Sequence, residues 1–340
     1  MRKVRAGVVQ AAPVFMNLRA TLDKTIALIE QAAKDDVELL AFPELWIPGY
    51  PWFIWVESPI EWYRHIGAYH ANSLAVDSSE MRAIRDAAAK ASMHVVLGYS
   101  EKATNSRYMS QSLILPNGEI GFARRKIKPT SGERMLFGEG DGSDLKVLQT
   151  SIGRIGALNC WENLLSFCRN ALIGMHEEIH IGAWPSMNMG RGLGTADQFG
   201  PNKLRSLSTV TAIEGSLFCL TATSVFAKDQ IDMIADTELK AKMLLPDESC
   251  LGGFSMIYGP DGMPLVEPLD ENREGIVVAD LDLDLIPKAK LFFDPAGHYT
   301  RNDIFRFDVN HASRRGAHDA GLTAVSSSAE ALSFGSAIDV

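Results

Sequence analysis

Cys160, Glu44, Lys126 and Glu133 are the side chains whose types and placement could do chemistry together. Cys160 lies in Ala157-Leu158-Asn159-Cys160-Trp161-Glu162-Asn163, where a short apolar run ends and a helical pattern opens. A thiol at such a strand-to-helix turn lies near free N–H groups and the positive end of a helix dipole, which favour thiolate. The other reading of a lone cysteine is a small buried hydrophobe. Glu44 follows Leu39-Leu40-Ala41-Phe42, an uninterrupted apolar run of the kind a strand shows when both its faces are covered. An acid just past such a strand lies where open α/β sheets place ligands. Lys126 ends a predicted strand, and Glu133 stands in the loop after it. A thiolate, a carboxylate base and an ammonium are the parts needed to attack an electrophilic carbon, move protons and stabilise developing negative charge. Composition alone does not single out these four.

A competing motif is His176-Glu177-Glu178-Ile179-His180, which fits the H-E-x-x-H zinc pattern. Two histidines share a metal only if they lie on one helical face. Here Gly174 precedes the motif and Ile179 to Trp184 reads as strand, so no metal site is expected. The loop from Pro129 to Asp144 carries Gly132, Gly138, Gly140 and Gly142 among Glu133, Glu139, Asp141 and Asp144. Those acids would repel a phosphate, so it is not a phosphate cradle.

The elements that must position these groups alternate between helix and strand. Val4 to Gln10 reads as a strand, and Asn17 caps a helix with Leu22, Ile26, Ile29 and Ala33 on one stripe. Val37 to Phe42 is the next strand. Ser58-Pro59-Ile60-Glu61 is a capping box with proline at the first helical position, and Asp77 or Ser78 caps a further helix. Val95 to Ser100 is a strand. Ser112 to Pro116 and Glu119 to Lys126 form a hairpin across Asn117-Gly118, with a type I′ turn expected. A second hairpin, Lys146 to Thr150 with Ile155 to Asn159, leads into Cys160. The helix after it places Leu164, Cys168, Ala171 and Met175 on one stripe, so Cys168 is expected in the core. Ile179 to Trp184 is a strand, and Lys203 to Glu214 a helix with Leu204, Leu207 and Val210 inward. Leu217 to Ser224 and Phe254 to Tyr258 are strands, the latter with a hairpin partner near Leu265, and Gly275 to Asp284 closes the regular part. From Ala312 on, Ala, Ser and Gly dominate, so that tail is expected to be disordered. Hairpins interleaved among the βα units predict a mixed-sheet α/β sandwich.

The chain has 340 residues, 46% of them hydrophobic and 22% charged, which suits a globular protein with a sizeable core. A formal net charge of -9 argues against nucleic-acid or anionic-membrane partners. The four cysteines form no CxxC pair, so neither a disulfide framework nor a zinc ribbon is expected, and a reducing cytoplasm is the natural home. No signal or membrane-spanning segment is expected.

Specific motifs carry a resemblance to a known family. Phe42-Pro43-Glu44, Pro48-Gly49-Tyr50-Pro51-Trp52, Arg125-Lys126-Ile127-Lys128-Pro129-Thr130, Gly138-Glu139-Gly140-Asp141-Gly142, Cys160-Trp161-Glu162-Asn163, Ala183-Trp184-Pro185-Ser186 and Asp294-Pro295-Ala296-Gly297-His298-Tyr299 closely resemble the nitrilase branch of the carbon–nitrogen hydrolase superfamily. The resemblance spans about residues 4 to 305 in order. It implies an αββα sandwich over residues 1–310, with residues 311–340 as tail, pairing in a dimer to an αββααββα core and extending into spirals or filaments. It implies Cys160 as nucleophile, Glu44 as general base and Lys126, with Lys128 the alternative, as stabiliser of the tetrahedral intermediate. Glu133 would orient Lys126 and the substrate. Tyr50, Phe137, Trp161 and Trp184 would wall an apolar pocket suited to an aromatic, arylaliphatic or longer aliphatic nitrile. No cofactor or metal is implied. One departure is Leu164-Leu165-Ser166-Phe167-Cys168-Arg169, where nitrilases commonly carry a proline. Cyanide hydratase or dihydratase and aliphatic amidase are the alternatives within the superfamily. A non-catalytic assembly protein is disfavoured because all four reactive positions are present.

Overall fold

Strands whose successive residues are both apolar need cover on both faces, and this chain supplies it with the two facing halves of one sheet and two layers of helices. The structure, a computed structural model, describes residues 3–188, 200–245 and 250–314. Strands β1 (Lys3–Ala11), β2 (Leu39–Ala41), β3 (His94–Ala103), β4 (Ser106–Ile114) and β5 (Ile120–Arg125) form one half-sheet in the order β5-β4-β3-β2-β1. Strands β6 (Val147–Thr150), β7 (Gly153–Asn159), β8 (Ile179–Trp184), β9 (Phe218–Ser224) and β10 (Met256–Tyr258) form the other, and β11 (Gly275–Asp282) lies antiparallel beside β1. The halves join where Gln10 and Ala11 pair with Thr223 and Ser224.

The period of two along each strand divides the core. Val4, Ala6 and Val8 of β1, Leu39 and Ala41 of β2, Ile155 and Ala157 of β7, and Ile179 and Ile181 of β8 meet in one cluster between the half-sheets. The alternate residues Val9, Leu40, Val95 and Leu97 face outward, under helices α1 (Leu18–Lys34) and α4 (Ser79–Lys90). Between these helices in sequence lie the short α2 (Phe53–Val56) and α3 (Pro59–Ala71). On the far face, α5 (Ser166–Gly174) covers Leu158 through Cys168, Ala171 and Leu172, and α6 (Pro201–Gly215) covers Cys219 and Met256 through Leu204, Leu207 and Ala212. The order of layers is αββα. Helices α7 (Lys228–Ile234), α8 (Glu238–Leu244) and α9 (Leu285–Lys290) complete the described part.

The caps act as the sequence predicts. Asn17 Oδ1 accepts from the Ala20 N–H, Ser78 Oγ from that of Met81, and Ser58 and Glu61 exchange both capping-box bonds. Some expectations need correction. At Asn117-Gly118 only Gly118 has positive φ, +79°. Leu115 N bonds to Glu119 O and Gly118 N to Leu115 O, which makes a three-residue loop ending in a left-handed glycine rather than a type I′ turn. Val210 points to solvent, because the buried stripe of α6 runs through Ser208, Thr211 and Ala212 instead. Near Leu265 no strand forms; Tyr258 and Pro264 make a single bridge. The predicted tail lies outside the described residues from 315 onward. No described helix is long and apolar enough to cross a membrane.

Candidate active site

Strands β2, β5 and β7 point the same way, so their carboxyl ends open at one end of the sandwich. Cys160 directly follows β7, Lys126 directly follows β5, and Glu44 comes three residues after β2. Glu133 sits in a 3-10 turn, Ser131–Met135. All four side chains converge. Lys126 Nζ donates to Glu44 Oε1 at 2.9 Å and to Glu133 Oε2 at 2.8 Å, although 82 residues separate Lys126 from Glu44. Cys160 lies within electrostatic reach of Glu44, Lys126 and Glu133. Lys128 instead pairs with Glu139 at the surface.

The two carboxylates are held differently. Glu133 accepts from Tyr50 OH at 2.6 Å, from the Thr130 N–H at 2.6 Å and from Lys126, so both its oxygens are engaged. Glu44 Oε2 is buried and has no hydrogen-bond partner among the described residues. Its backbone reaches the site because position 98 on β3 is glycine: a Cβ there would stand 2.2 Å from Pro43 O and 3.2 Å from Glu44 Cα.

Burial governs protonation here. It pushes the Glu44 carboxyl up to about 8, against the pull of Lys126 and with the help of Glu133. Burial works against the Lys126 ammonium, but Glu133 and Glu44 outweigh it and hold the lysine charged. Burial, then Glu133, pushes the Tyr50 phenol up, so Tyr50 stays a donor. Cys160 corrects the expectation of a resting thiolate: burial and then Glu44 push its thiol well up, and the Trp161 N–H is a minor opposing influence. The element after Cys160 is a five-residue 3-10 turn, Cys160–Leu164, not the start of a long helix, so there is little dipole to draw on. Cys160 itself has φ +49°, a left-handed conformation rare for a residue that carries a Cβ.

A cleft of about 330 Å³, counting its open mouth, leads to Cys160 and Glu133. Tyr50 and Trp161 line it. Phe137 packs edge-on against Tyr69, and Trp184 edge-on against Trp161, one layer behind the wall. Sequence reasoning missed Trp52, Trp55 and Met187, which also line the cleft. Trp55 had a signal: it belongs to the aromatic stretch around Pro51, and its Nε1–H donates to Tyr50 OH at 3.1 Å. The buried pair of Arg124 and Glu162 was missed too. Its only trace was a glutamate in the first turn after Cys160. The two histidines of the zinc-like motif lie on different elements, His176 after α5 with φ +59° and His180 in β8. Among the described residues no three His, Cys, Asp or Glu are grouped to hold a metal.

The model of the carbon-nitrogen hydrolase family matches residues 5–290, and the chain belongs to that family. It is 43% identical to a nitrilase of Pseudomonas syringae pv. syringae over 90% of each chain. It is 42% identical to an aliphatic nitrilase of Rhodococcus rhodochrous over 91% of this chain and 79% of that one. These relatives place it on the nitrilase branch. Its fold is shared with a carbon-nitrogen hydrolase from Helicobacter pylori G27, at a TM-score of 0.70 and 20% identity, covering 89% of this chain and 97% of that one.

Proposed function

We propose that the protein hydrolyses an organic nitrile to a carboxylic acid and ammonia. Cys160 is the nucleophile, Glu44 the general acid and base, Lys126 the stabiliser of the charge that develops, and Glu133 the group that orients Lys126. The observation that carries this reading is the unpartnered Glu44 Oε2, buried beside Cys160 while the other glutamate is fully engaged. The Cys160 sulfur attacks the nitrile carbon as its proton passes to Glu44 and on to the nitrile nitrogen, giving a thioimidate. Water adds to the carbon, and one of its protons passes through Glu44 to the nitrogen, giving a tetrahedral intermediate that carries a hydroxyl and an amino group. The hydroxyl proton then passes to the nitrogen by the same carboxyl as the carbon–nitrogen bond breaks, so ammonia leaves and a thioester remains. A second water, deprotonated in the same way, releases the acid and returns the proton to the sulfur. A carboxyl poised at about 8 can both take and give protons near neutral pH. If the carbon–sulfur bond breaks before ammonia leaves, the product is an amide.

Tyr50, Trp52, Trp55, Trp161 and Met187 around the cleft favour a flat or extended apolar substituent over cyanide. Self-association fits the outer face of α5 and α6, where Phe167, Val210 and Ile213 are exposed. Pairing there would give an αββααββα core from which spirals or filaments could grow. Four free cysteines and no membrane-spanning helix among the described residues are compatible with the reducing cytoplasm as the compartment.

Ammonia release from benzonitrile, phenylacetonitrile, valeronitrile and cyanide, with the matching amides as controls, tests the reaction. Light scattering after size exclusion tests assembly. The organic nitriles should be turned over and the amides poorly. Cys160→Ala should lose turnover while keeping fold and oligomer. Ammonia release at the wild-type rate by that variant would overturn the assignment.

A further inference from the structure

The motif that resembled a zinc site does something else. Glu177, His180 and Asn163 are each at least 97% buried and form a continuous chain of hydrogen bonds behind the nucleophile. Asn163 Nδ2 donates to the main-chain oxygen of Cys160 at 2.8 Å. Asn163 Oδ1 lies 2.8 Å from His180 Nε2, and His180 Nδ1 lies 3.0 Å from both oxygens of the Glu177 carboxylate. With its amide nitrogen turned to a carbonyl, Asn163 must accept from the ring, and Nε2 must carry a proton. The carboxylate fixes the ring from the other side, as second partners fix imidazoles elsewhere.

Space has been left for this chain. A Cβ at position 156 would stand 2.1 Å from Glu177 Oε1, so the glycine in β7 is the slot into which the carboxylate fits. The Asn163 main-chain oxygen is bound separately by Arg169, whose Nε donates to Glu214 at 3.0 Å. The side-chain amide of Asn163 is therefore free for the strand end, where Nδ2 reaches the Cys160 oxygen and, at 3.5 Å, the Leu158 oxygen as well. The Cys160 backbone is left-handed, a conformation that is unfavourable for a residue with a Cβ and persists only where neighbours hold it.

We propose that Glu177, His180 and Asn163 are positioning residues that hold the Cys160 carbonyl, and with it the left-handed backbone that aims the thiol into the cleft. They touch no substrate and act through the peptide of Cys160. The direction of the thiol follows from the side-chain chain behind it, not from the 3-10 turn alone. The inference rests on Cys160 being the nucleophile of the proposed reaction, but its test does not require nitrile turnover.

The experiment compares wild type, His180→Leu and His180→Gln for alkylation of Cys160 by iodoacetamide, followed by mass spectrometry, alongside kcat and KM for the best nitrile of the panel. Misplacing a reacting atom by about 1 Å costs on the order of 100-fold. His180→Leu should therefore lower both kcat and the alkylation rate constant by about 10- to 100-fold, with KM within about threefold of wild type. His180→Gln restores a donor toward Asn163 and should recover most of both. Should His180→Leu fold poorly by circular dichroism, Asn163→Asp carries the test, since it keeps size but turns an acceptor toward the Cys160 carbonyl, and slow alkylation is again expected. Wild-type alkylation rates in either folded variant, or a loss that His180→Gln does not recover, would overturn the proposal. If wild type turns over no nitrile while the alkylation series behaves as stated, the proposed reaction fails and the positioning chain stands.

Discussion

Arg124 and Glu162 join the two halves of the sandwich behind the site, and Arg124→Met tests how much that join carries. The Glu162 carboxylate accepts four hydrogen bonds. Arg124 Nη2 reaches Oε1 at 2.7 Å and Nη1 reaches Oε2 at 3.0 Å; the Ile127 N–H reaches Oε1 at 2.6 Å and the Asn159 N–H reaches Oε2 at 2.8 Å. Neither side chain of the pair has exposed surface. The substitution keeps much of the volume but strips two of the four donors and the whole compensating charge. Removing one partner of a buried pair costs about 3–5 kcal/mol, because the remaining ion is stranded rather than because the pair itself was strong. Gln111 Oε1 and the Asp144 main-chain oxygen lose their Arg124 donors as well, which places the expected cost toward the upper end. Ile127 follows Lys126 and Asn159 precedes Cys160, so a carboxylate seeking new partners pulls on the backbone at both. Activity should fall along with stability. Urea unfolding followed by tryptophan fluorescence gives the free energy, and the double variant Arg124→Met/Glu162→Leu should recover much of the loss, since it leaves no stranded charge. A single variant within 1 kcal/mol of wild type and fully active would refute the idea that this pair ties the lysine strand to the cysteine turn.

The pH dependence follows from Glu44. Its folded value is raised to about 8, so the protonated form dominates below that and the basic form grows above it; kcat/KM should rise through an acid limb near pH 8 with unit slope. Glu44→Gln should remove that limb and lower kcat by about 10²–10⁴-fold, and a wild-type limb near the ordinary carboxylate value would contradict the burial argument. Gly98→Ala should push the Pro43–Glu44 backbone outward, costing about 1–3 kcal/mol by overpacking and on the order of 100-fold in kcat. Steady-state kinetics with a melting curve on the same sample separates the two effects.

Local rules made much of the fold legible. Asn17, Ser58 and Ser78 start their helices because short polar side chains satisfy N–H groups a few residues on, and that information lies within four residues. The hairpins and the doubly apolar strands were legible for the same reason. What joins the half-sheets was not: only two residue pairs link β1 to β9, and they lie more than 200 positions apart. The seven-residue helices α7 and α8 went unread because each offers too few turns for a stripe. At the site, the resemblance marked Cys160, Glu44, Lys126 and Glu133, but the state of the thiol could not be read from its own segment. The neighbourhood of Cys160 suggests a helix dipole, whereas the burial that raises it comes from elements distant in sequence. The Glu177–His180–Asn163 chain hid for a similar reason, since strand β8 carries one member and the turn after β7 another.

A raised thiol would be a poor nucleophile if it had to ionise first, and the asymmetry between the two carboxylates removes that requirement. Glu133 has a donor for each of its oxygens, so it cannot accept a proton without breaking bonds that hold the site together, and the Lys126 ammonium has no lone pair with which to accept one. Glu44 Oε2 can, because it has nothing to lose. In the proposed reaction the thiol proton therefore has one open acceptor as the sulfur attacks, and the same carboxyl returns it to nitrogen once charge has developed there. With the Lys126 ammonium held charged, the growing anion meets a fixed positive charge in a place without bulk water, where such charges act most strongly. On this account the depth of burial that disfavours a resting thiolate is also what strengthens Lys126's hold on the reaction's charged intermediates.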